Sequence, residues 1–439
     1  MPDNLQSIST TDANATSPTA LLRRSIRMTD FAYKHLFREG LPAIPPSPPV
    51  KPRILMNSGH NAPELIPCEK LAAAAQRVIL REGTALARYF SGPRALGYEG
   101  LRRVLSDMMR VSRGINVGIE RILVTSGSGQ AIDLVDWLFV KPGDVVLVEE
   151  FTYHGAITRM RREGAELLPV AMDEGGMRID ALENQLESLA SQGVKPKFLY
   201  TIPTVQNPTG TVLPMDRRRA LLDLARRHDL PIVEDDCYSD VFWGGETPPA
   251  LYSLAPSQVV YISTLSKTFA PAVRLGYIVA DPAVLQQIVQ MKRDGGTGLL
   301  DQMIVAEYFA EHYQSHMEDV RARLRHKMKL TADCVRKEFG VSAEFTEPGG
   351  GIYLWLKLPD AVDGRSFAAA SAQEGILYNI GQEWAVQSEQ GRSYIRICFA
   401  LTTEDEIREG VARLAQLCFE QNGVPAHCDN VARERRPAK

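Results

Sequence analysis

No continuous apolar run in the chain reaches the roughly 18 residues that a bilayer-spanning helix needs. Its first residues show no charged, apolar, small-residue progression of a secretory leader, so the 439-residue sequence gives membrane spanning and secretion no support. Cysteine is sparse. Cys68, Cys237, Cys334, Cys398, Cys418 and Cys428 are scattered without CxxC spacing, which argues against a disulfide frame or a zinc site and fits reduced thiols in a cytoplasm. There is no basic surplus: 50 Lys and Arg against 53 Asp and Glu leave a formal net charge of −3, so nucleic acid is not an expected partner. No internal repeat is evident. What the chain does have is 44% hydrophobic residues, enough for a sizeable core and more than one domain.

Residues 1 to about 20, rich in Ser, Thr, Asn and Asp, are expected to lack fixed structure. A helical segment is expected over 21–37. The Pro-rich stretch 42–52 reads as an extended arm, suited to packing on a neighbouring subunit or to serving as a surface linker. From about residue 53 strands and helices alternate. Strands are expected over 121–125, 145–148, 166–170, 198–202, 232–234, 259–262 and 274–280, and helices over 101–110, 130–140, 155–162, 180–190 and 216–228. Such alternation implies a mainly parallel sheet covered on both faces, an α/β architecture. A helical region over 282–339, strands over 352–358 and 394–399 and a last helix over 404–419 make a second, smaller α+β domain. The expected division is a tail and arm over 1–52, a large domain over 53–295 whose first part can pack with the small domain, a small domain over 296–425 and a tail over 426–439.

Chemistry concentrates at Lys267. It lies in Ser263-Thr264-Leu265-Ser266-Lys267, after the apolar run Val259-Val260-Tyr261-Ile262, with Arg274 seven residues on. Hydroxyls and a guanidinium can bind a phosphate, while a desolvated amine near a cation loses its proton and attacks carbonyls. That combination points to pyridoxal phosphate held through a Schiff base. Three more polar clusters follow apolar runs: Thr125-Ser126-Gly127-Ser128-Gly129-Gln130-Ala131, Gln206-Asn207-Pro208-Thr209-Gly210 and Glu234-Asp235-Asp236-Cys237-Tyr238. In an open α/β sheet ligands bind outside the carboxyl ends of the strands, where such clusters belong. Gly127-Ser128-Gly129 is not a dinucleotide fingerprint, because Ala131-Ile132 supplies no third glycine in phase.

In this ordered set of motifs, over roughly residues 53 to 420, the chain resembles the class I/II aminotransferases, fold type I pyridoxal-phosphate enzymes of the aspartate aminotransferase superfamily. Within them it is similar to the kynurenine and 2-aminoadipate aminotransferase branch. The resemblance implies a large domain with a mainly parallel seven-stranded sheet, a smaller α+β domain, and a homodimer whose sites are completed by the partner subunit. It implies that Ser128 and Gly129 open a phosphate cradle at a helix start, closed by Thr264, Ser266 and Arg274, and that Tyr153 stacks on the pyridine ring. Asp235 and Tyr238 match the family's D-x-x-Y pair, with Asp235 preferred to Asp236 on spacing. Asp235 would keep the pyridine nitrogen protonated, and Tyr238 and Asn207 would hydrogen-bond the phenolic oxygen. Arg396, on the otherwise apolar run Tyr394-Ile395-Arg396-Ile397-Cys398-Phe399, would clamp the substrate α-carboxylate. Each has a plainer reading: a core tyrosine at Tyr153, a turn former at Asn207, a structural ion pair at Arg396, and at Cys237 a packed small hydrophobe.

Two departures bear on specificity. The family places a tyrosine five residues before the glycine of Gly97-Tyr98-Glu99-Gly100-Leu101-Arg102, but Gly92 stands there and Tyr89 is the nearest tyrosine upstream, which makes Tyr89 the expected substrate-binding aromatic and suggests a local insertion. A loop that commonly reads Pro-Gly reads Asn379-Ile380-Gly381. The expected activity is ping-pong transamination between an α-amino acid and a 2-oxo acid, with Lys267 as nucleophile and proton carrier. Its rivals are a non-transaminating relative performing elimination, replacement or cyclisation, with S-adenosylmethionine as one substrate to consider, and a cofactor-binding regulator. The regulator would require a winged helix of about 70 residues in front, which roughly 50 Pro-rich, non-basic residues do not supply.

Overall fold

The computed structural model describes residues 33–37, 41, 44, 47–90 and 95–424. The tails, most of the segment 21–37, part of the arm 42–52 and Gly92 lie outside the described residues. The chain divides into Met1–Ser47 and Pro48–Lys439. In the first unit the described residues form one 3-10 turn, Tyr33–Leu36.

The second unit is built on seven strands: β1 Ile122–Thr125, β2 Val145–Glu149, β3 Glu166–Val170, β4 Leu199–Thr201, β5 Ile232–Asp235, β6 Val259–Thr264 and β7 Gly276–Val279. Their order across the sheet is β1-β7-β6-β5-β4-β2-β3. All neighbouring pairs are parallel except those of β7, which runs antiparallel to both β1 and β6. Apolar side chains cover both faces, as a two-sided parallel sheet requires. Alternate residues sort to opposite faces. Ile122, Val124, Leu147, Leu199, Ile232 and Tyr261 join one core with the helix Glu99–Arg113, whereas Leu123, Val146, Val148, Val233, Ile262 and Ile278 join another with the helices Ser128–Phe139 and His154–Arg162.

A second, three-stranded antiparallel sheet has β8 Tyr353–Lys357 and β9 Asn379–Ile380 flanking β10 Tyr394–Cys398. Its core takes in Ile54 and Met56 from the start of the unit, and Ile54–Leu55 pairs in parallel with Ile376–Leu377. The last helix, Glu404–Asn422, begins with a reciprocal capping box between Thr403 and Glu406, the Thr-x-x-Glu pattern that satisfies two free N–H groups at once.

The helical region expected over 282–339 is two helices, Pro282–Met291 and Leu299–Phe339. Gly295 and Gly296 adopt φ of 74° and 103° between them, a left-handed backbone that stops a helix. The second helix is 41 residues long. Val305, Ala306, Tyr308 and Phe309 belong to a core of the large sheet, while Met317, Val320, Leu324, Val335 and Phe339 belong to that of the small sheet.

One glycine in β7 sets how closely the loop after β1 approaches it. A Cβ on Gly276 would lie 2.5 Å from the carbonyl carbon of Gly127 and 2.7 Å from the amide nitrogen of Ser128. These are backbone atoms that cannot rotate aside. Gly276→Ala is expected to cost about 1–3 kcal/mol by overpacking, read as a lowered urea midpoint at unchanged m-value.

Candidate active site

The carboxyl ends of β1, β2, β4, β5 and β6 deliver polar residues to one cavity of about 280 Å³. Ser128, Gly129, Tyr153, Asn207, Asp235, Tyr238, Thr264, Ser266, Lys267 and Arg274, ten residues predicted from sequence, all line it. A second cavity of about 380 Å³ shares Tyr153, Asn207, Tyr238 and Lys267 with the first and adds Arg396, Asn379, Trp384, His154 and Glu383. The two meet at Lys267.

The Lys267 amine donates to the Gly59 carbonyl at 2.7 Å. Burial pulls its pKa below the ordinary 10.5, and the charges of Arg396 and Arg274 add to that pull, although Cys237 opposes it. An amine kept from protonation is a nucleophile and a base.

At one end of the first cavity the helix Ser128–Phe139 starts with no acidic residue in its first turn and no side-chain cap from Gly127, so its leading N–H groups remain for an anion. The Arg274 Nη2 donates to the Ser126 carbonyl at 3.0 Å and lies so close to Gly127 that a Cβ there would stand 2.3 Å from it. The Thr264 hydroxyl is 3.0 Å from that of Ser266. Uncapped amides, two buried hydroxyls and a guanidinium fit a phosphate monoester. Arg159 also lines this cavity and its Nε donates to the Gly129 carbonyl at 3.1 Å. Gly129 makes room for it: a Cβ would stand 2.7 Å from Arg159 Nη2.

Along β5 and just past it, acids alternate in direction. Asp235 lines the cavity and accepts from the Tyr200 hydroxyl at 2.6 Å and the Cys237 thiol at 2.7 Å. Burial raises its pKa, while those two donors favour the anion. Asp236 pairs with the buried Arg113 and accepts from the Tyr261 hydroxyl at 2.9 Å. Asp236 is thus committed to a structural ion pair, and Asp235 is the carboxylate that lines the cavity. Cys237, expected as packing, is also a donor.

The Tyr238 hydroxyl accepts from Asn207 Nδ2 at 3.4 Å. Asn207 Oδ1 accepts from Arg396 Nη1 at 2.7 Å, and Asn379 Oδ1 accepts from Arg396 Nη2 at 2.8 Å and Nε at 3.2 Å. Those bonds use three of the five guanidinium N–H groups. The Cys398 thiol is a further hydrogen-bond partner of the guanidinium. The guanidinium also lies over the Trp384 ring, 3.8 Å from its centroid. The departure at Asn379 therefore supplies an amide that orients Arg396.

Tyr89 does not meet its expectation within its own chain. It is 84% exposed and lines neither cavity, because the Phe90 amide donates to the Gly295 carbonyl at 3.2 Å and ties the segment to that loop. Sequence reasoning missed Gly59, Arg159, His154 and Trp384. The polar string Asn57-Ser58-Gly59-His60 after Ile54-Leu55 was a usable signal for Gly59, of the kind that flagged the other strand ends. The rest reach the site from helix and loop positions that carry no local pattern.

This arrangement, a partly buried lysine with uncapped amides, hydroxyls and Arg274 on one side and Arg396 on the other, over a doubly wound sheet, fits pyridoxal phosphate. The chain belongs to the aminotransferase class I and II family, whose sequence pattern matches residues 53–414. It is 34% identical over 373 residues to the 2-aminoadipate transaminase of Thermus thermophilus, covering 83% of this chain and 90% of that one. It is 30% identical over 372 residues to aromatic-amino-acid aminotransferase 1 of Thermococcus litoralis, covering 84% and 88%. The solved structure of an α-aminoadipate aminotransferase from Thermus thermophilus, complexed with N-(5′-phosphopyridoxyl)-L-leucine, superposes with a TM-score of 0.77 at 32% identity over 83% of this chain and 91% of that one. The protein is a pyridoxal-phosphate-dependent aminotransferase.

Lys267 has a folded-state pKa below its unfolded value. In the window between the two the unfolded chain binds more protons, so stability rises with pH there, and below the folded pKa the penalty is complete. Stripped of cofactor, Lys267→Met is expected to be more stable than the parent, with the gap narrowing as pH climbs toward 10.5. Urea melts of both proteins at several pH values read this; a gap that widens with pH contradicts it.

Proposed function

We propose that Lys267 is the group that binds pyridoxal phosphate covalently and moves the substrate α-proton, and that an α-amino carboxylate is held by Arg396. The observation carrying this reading is that an amine whose charged form is disfavoured by burial and a guanidinium oriented by the side-chain oxygens of Asn207 and Asn379 line one cavity. Pyridoxal phosphate supplies, when bound, an aldehyde for amine exchange and a ring that takes up the electron pair left at the amino-acid Cα. Ser128, Gly129, Thr264, Ser266 and Arg274 hold its phosphate, and Tyr153 supports the ring face. Asp235, which accepts from Tyr200 and Cys237, serves the ring nitrogen. Asn207 and Tyr238 serve the ring oxygen, and Arg396 fixes the substrate so that its Cα hydrogen meets Lys267 Nζ. Elimination, replacement and cyclisation are not favoured, since the similar proteins carry transaminase names.

The division at about residues 295 and 425 is our reading of two domains, supported by separate cores for the two sheets. We also assign an obligate homodimer with the arm 42–52 at the interface and Tyr89 offered to the partner's site. The exposure of Tyr89 on its own chain supports this. A cytoplasmic home is supported by the free thiols of Cys68, Cys237, Cys334, Cys398 and Cys418. Among the described residues no helix is long and apolar enough to cross a membrane.

The purified protein should be yellow, and borohydride should fix the cofactor to Lys267 in peptide mapping. Lys267→Ala should lower kcat/KM for oxo-acid release by several orders of magnitude, and Asp235→Asn should lower kcat more than Asp236→Asn does. Fixation at another lysine would defeat the assignment. Sedimentation at assay concentration should give a dimer, and a fully active monomer would refute the shared site.

A further inference from the structure

The second cavity holds polar groups that the reaction does not use. Both ring nitrogens of His154 and the indole Nε1 of Trp384 are buried without a hydrogen-bond partner, and both residues line the space around Arg396 and Lys267. Their rings stand 6.3 Å apart, edge to face. Trp384 is 5% exposed. Burial lowers the His154 pKa, opposed by Glu383 and helped by Arg396. A neutral imidazole offers one acceptor and one donor. Glu383 lines the same cavity and adds a carboxylate. Arg396 and the Lys267 amine are both engaged by the reacting end of the substrate, and Glu383 opposes a second carboxylate there.

Resting on the aminotransferase reading above, we propose that the wall made by His154, Trp384 and Glu383 selects amino acids whose side chain ends in N–H donors, a carboxamide or a guanidinium, over dicarboxylic and purely apolar ones. The imidazole lone pair and the Glu383 carboxylate accept from that group. The Trp384 N–H adds a donor that a carboxamide oxygen can satisfy and a guanidinium cannot, so the two chemistries are separable.

The test compares L-glutamine, L-arginine, L-2-aminoadipate and L-leucine on the holoenzyme, by spectral titration of the bound cofactor and by kcat/KM for oxo-acid release. L-glutamine or L-arginine should exceed both other donors by about tenfold or more in kcat/KM. His154→Phe should collapse that ratio toward one and His154→Asn should restore part of it. The surface change Glu383→Gln, which carries little risk to folding, should cost arginine more than glutamine and improve 2-aminoadipate, chiefly through KM. A parent enzyme that prefers 2-aminoadipate or leucine, or ratios that neither His154→Phe nor Glu383→Gln moves, overturns this selectivity while leaving transamination standing. No spectral response to any of the four overturns the aminotransferase reading, and this one with it.

Discussion

The surroundings of Lys267 disfavour its ammonium form, and much of the site is arranged around that constraint. Burial alone disfavours the ammonium form. Arg274 and Arg396 lie close enough to disfavour it further. The same lowering eases the placement of two guanidinium groups in the adjoining cavities. The Gly59 carbonyl gives the amine one acceptor, so it is held in place without a carboxylate that would draw a proton back onto it.

The acids of β5 show how a period of two distributes charge. Glu234 and Asp236 point to the same side, where Glu234 accepts from the backbone amides of Leu251 and Tyr252 and Asp236 pairs with Arg113. Asp235 points the other way, into the site. A one-residue slip would exchange a structural ion pair for the functional carboxylate. Breaking a buried pair of this kind leaves a stranded charge and costs roughly 3–5 kcal/mol, so the Arg113 contact fixes the register on which Asp235 depends. Glu149, fully buried at the end of β2, shows the cost of such positions. Burial lifts its pKa to about 7 despite hydrogen bonds from Gln206, Thr201 and the Ile202 amide.

Most of the large sheet was legible because its strands are uninterrupted apolar runs that end in polar clusters, and each cluster proved to lie at the carboxyl edge. Lys267, Asp235, Asn207 and Ser128 were visible for that reason. His154, Arg159 and Trp384 were not, because a residue one turn into a helix or inside an irregular loop carries no periodic mark of what it faces. The short strands Ile376–Leu377 and Asn379–Ile380 were missed for a related reason: two residues are too few to show alternation, and they exist by pairing with Ile54–Leu55 and β10. Tyr89 follows from distance along the chain, and the backbone bond from Phe90 to Gly295 keeps it out of the two cavities of its own chain.

The helix Leu299–Phe339 belongs to both cores, and its length has a mechanical meaning. At 1.5 Å per residue its 41 residues form a rod of roughly 60 Å. A rod gripped near one end by the large sheet acts as a lever arm for the small one. A tilt of about two degrees at the gripped end would carry the far end by ~2 Å over that length. Arg396, seated on the small sheet, would therefore change its distance to Lys267 through angular displacements too slight to disturb the packing of either core.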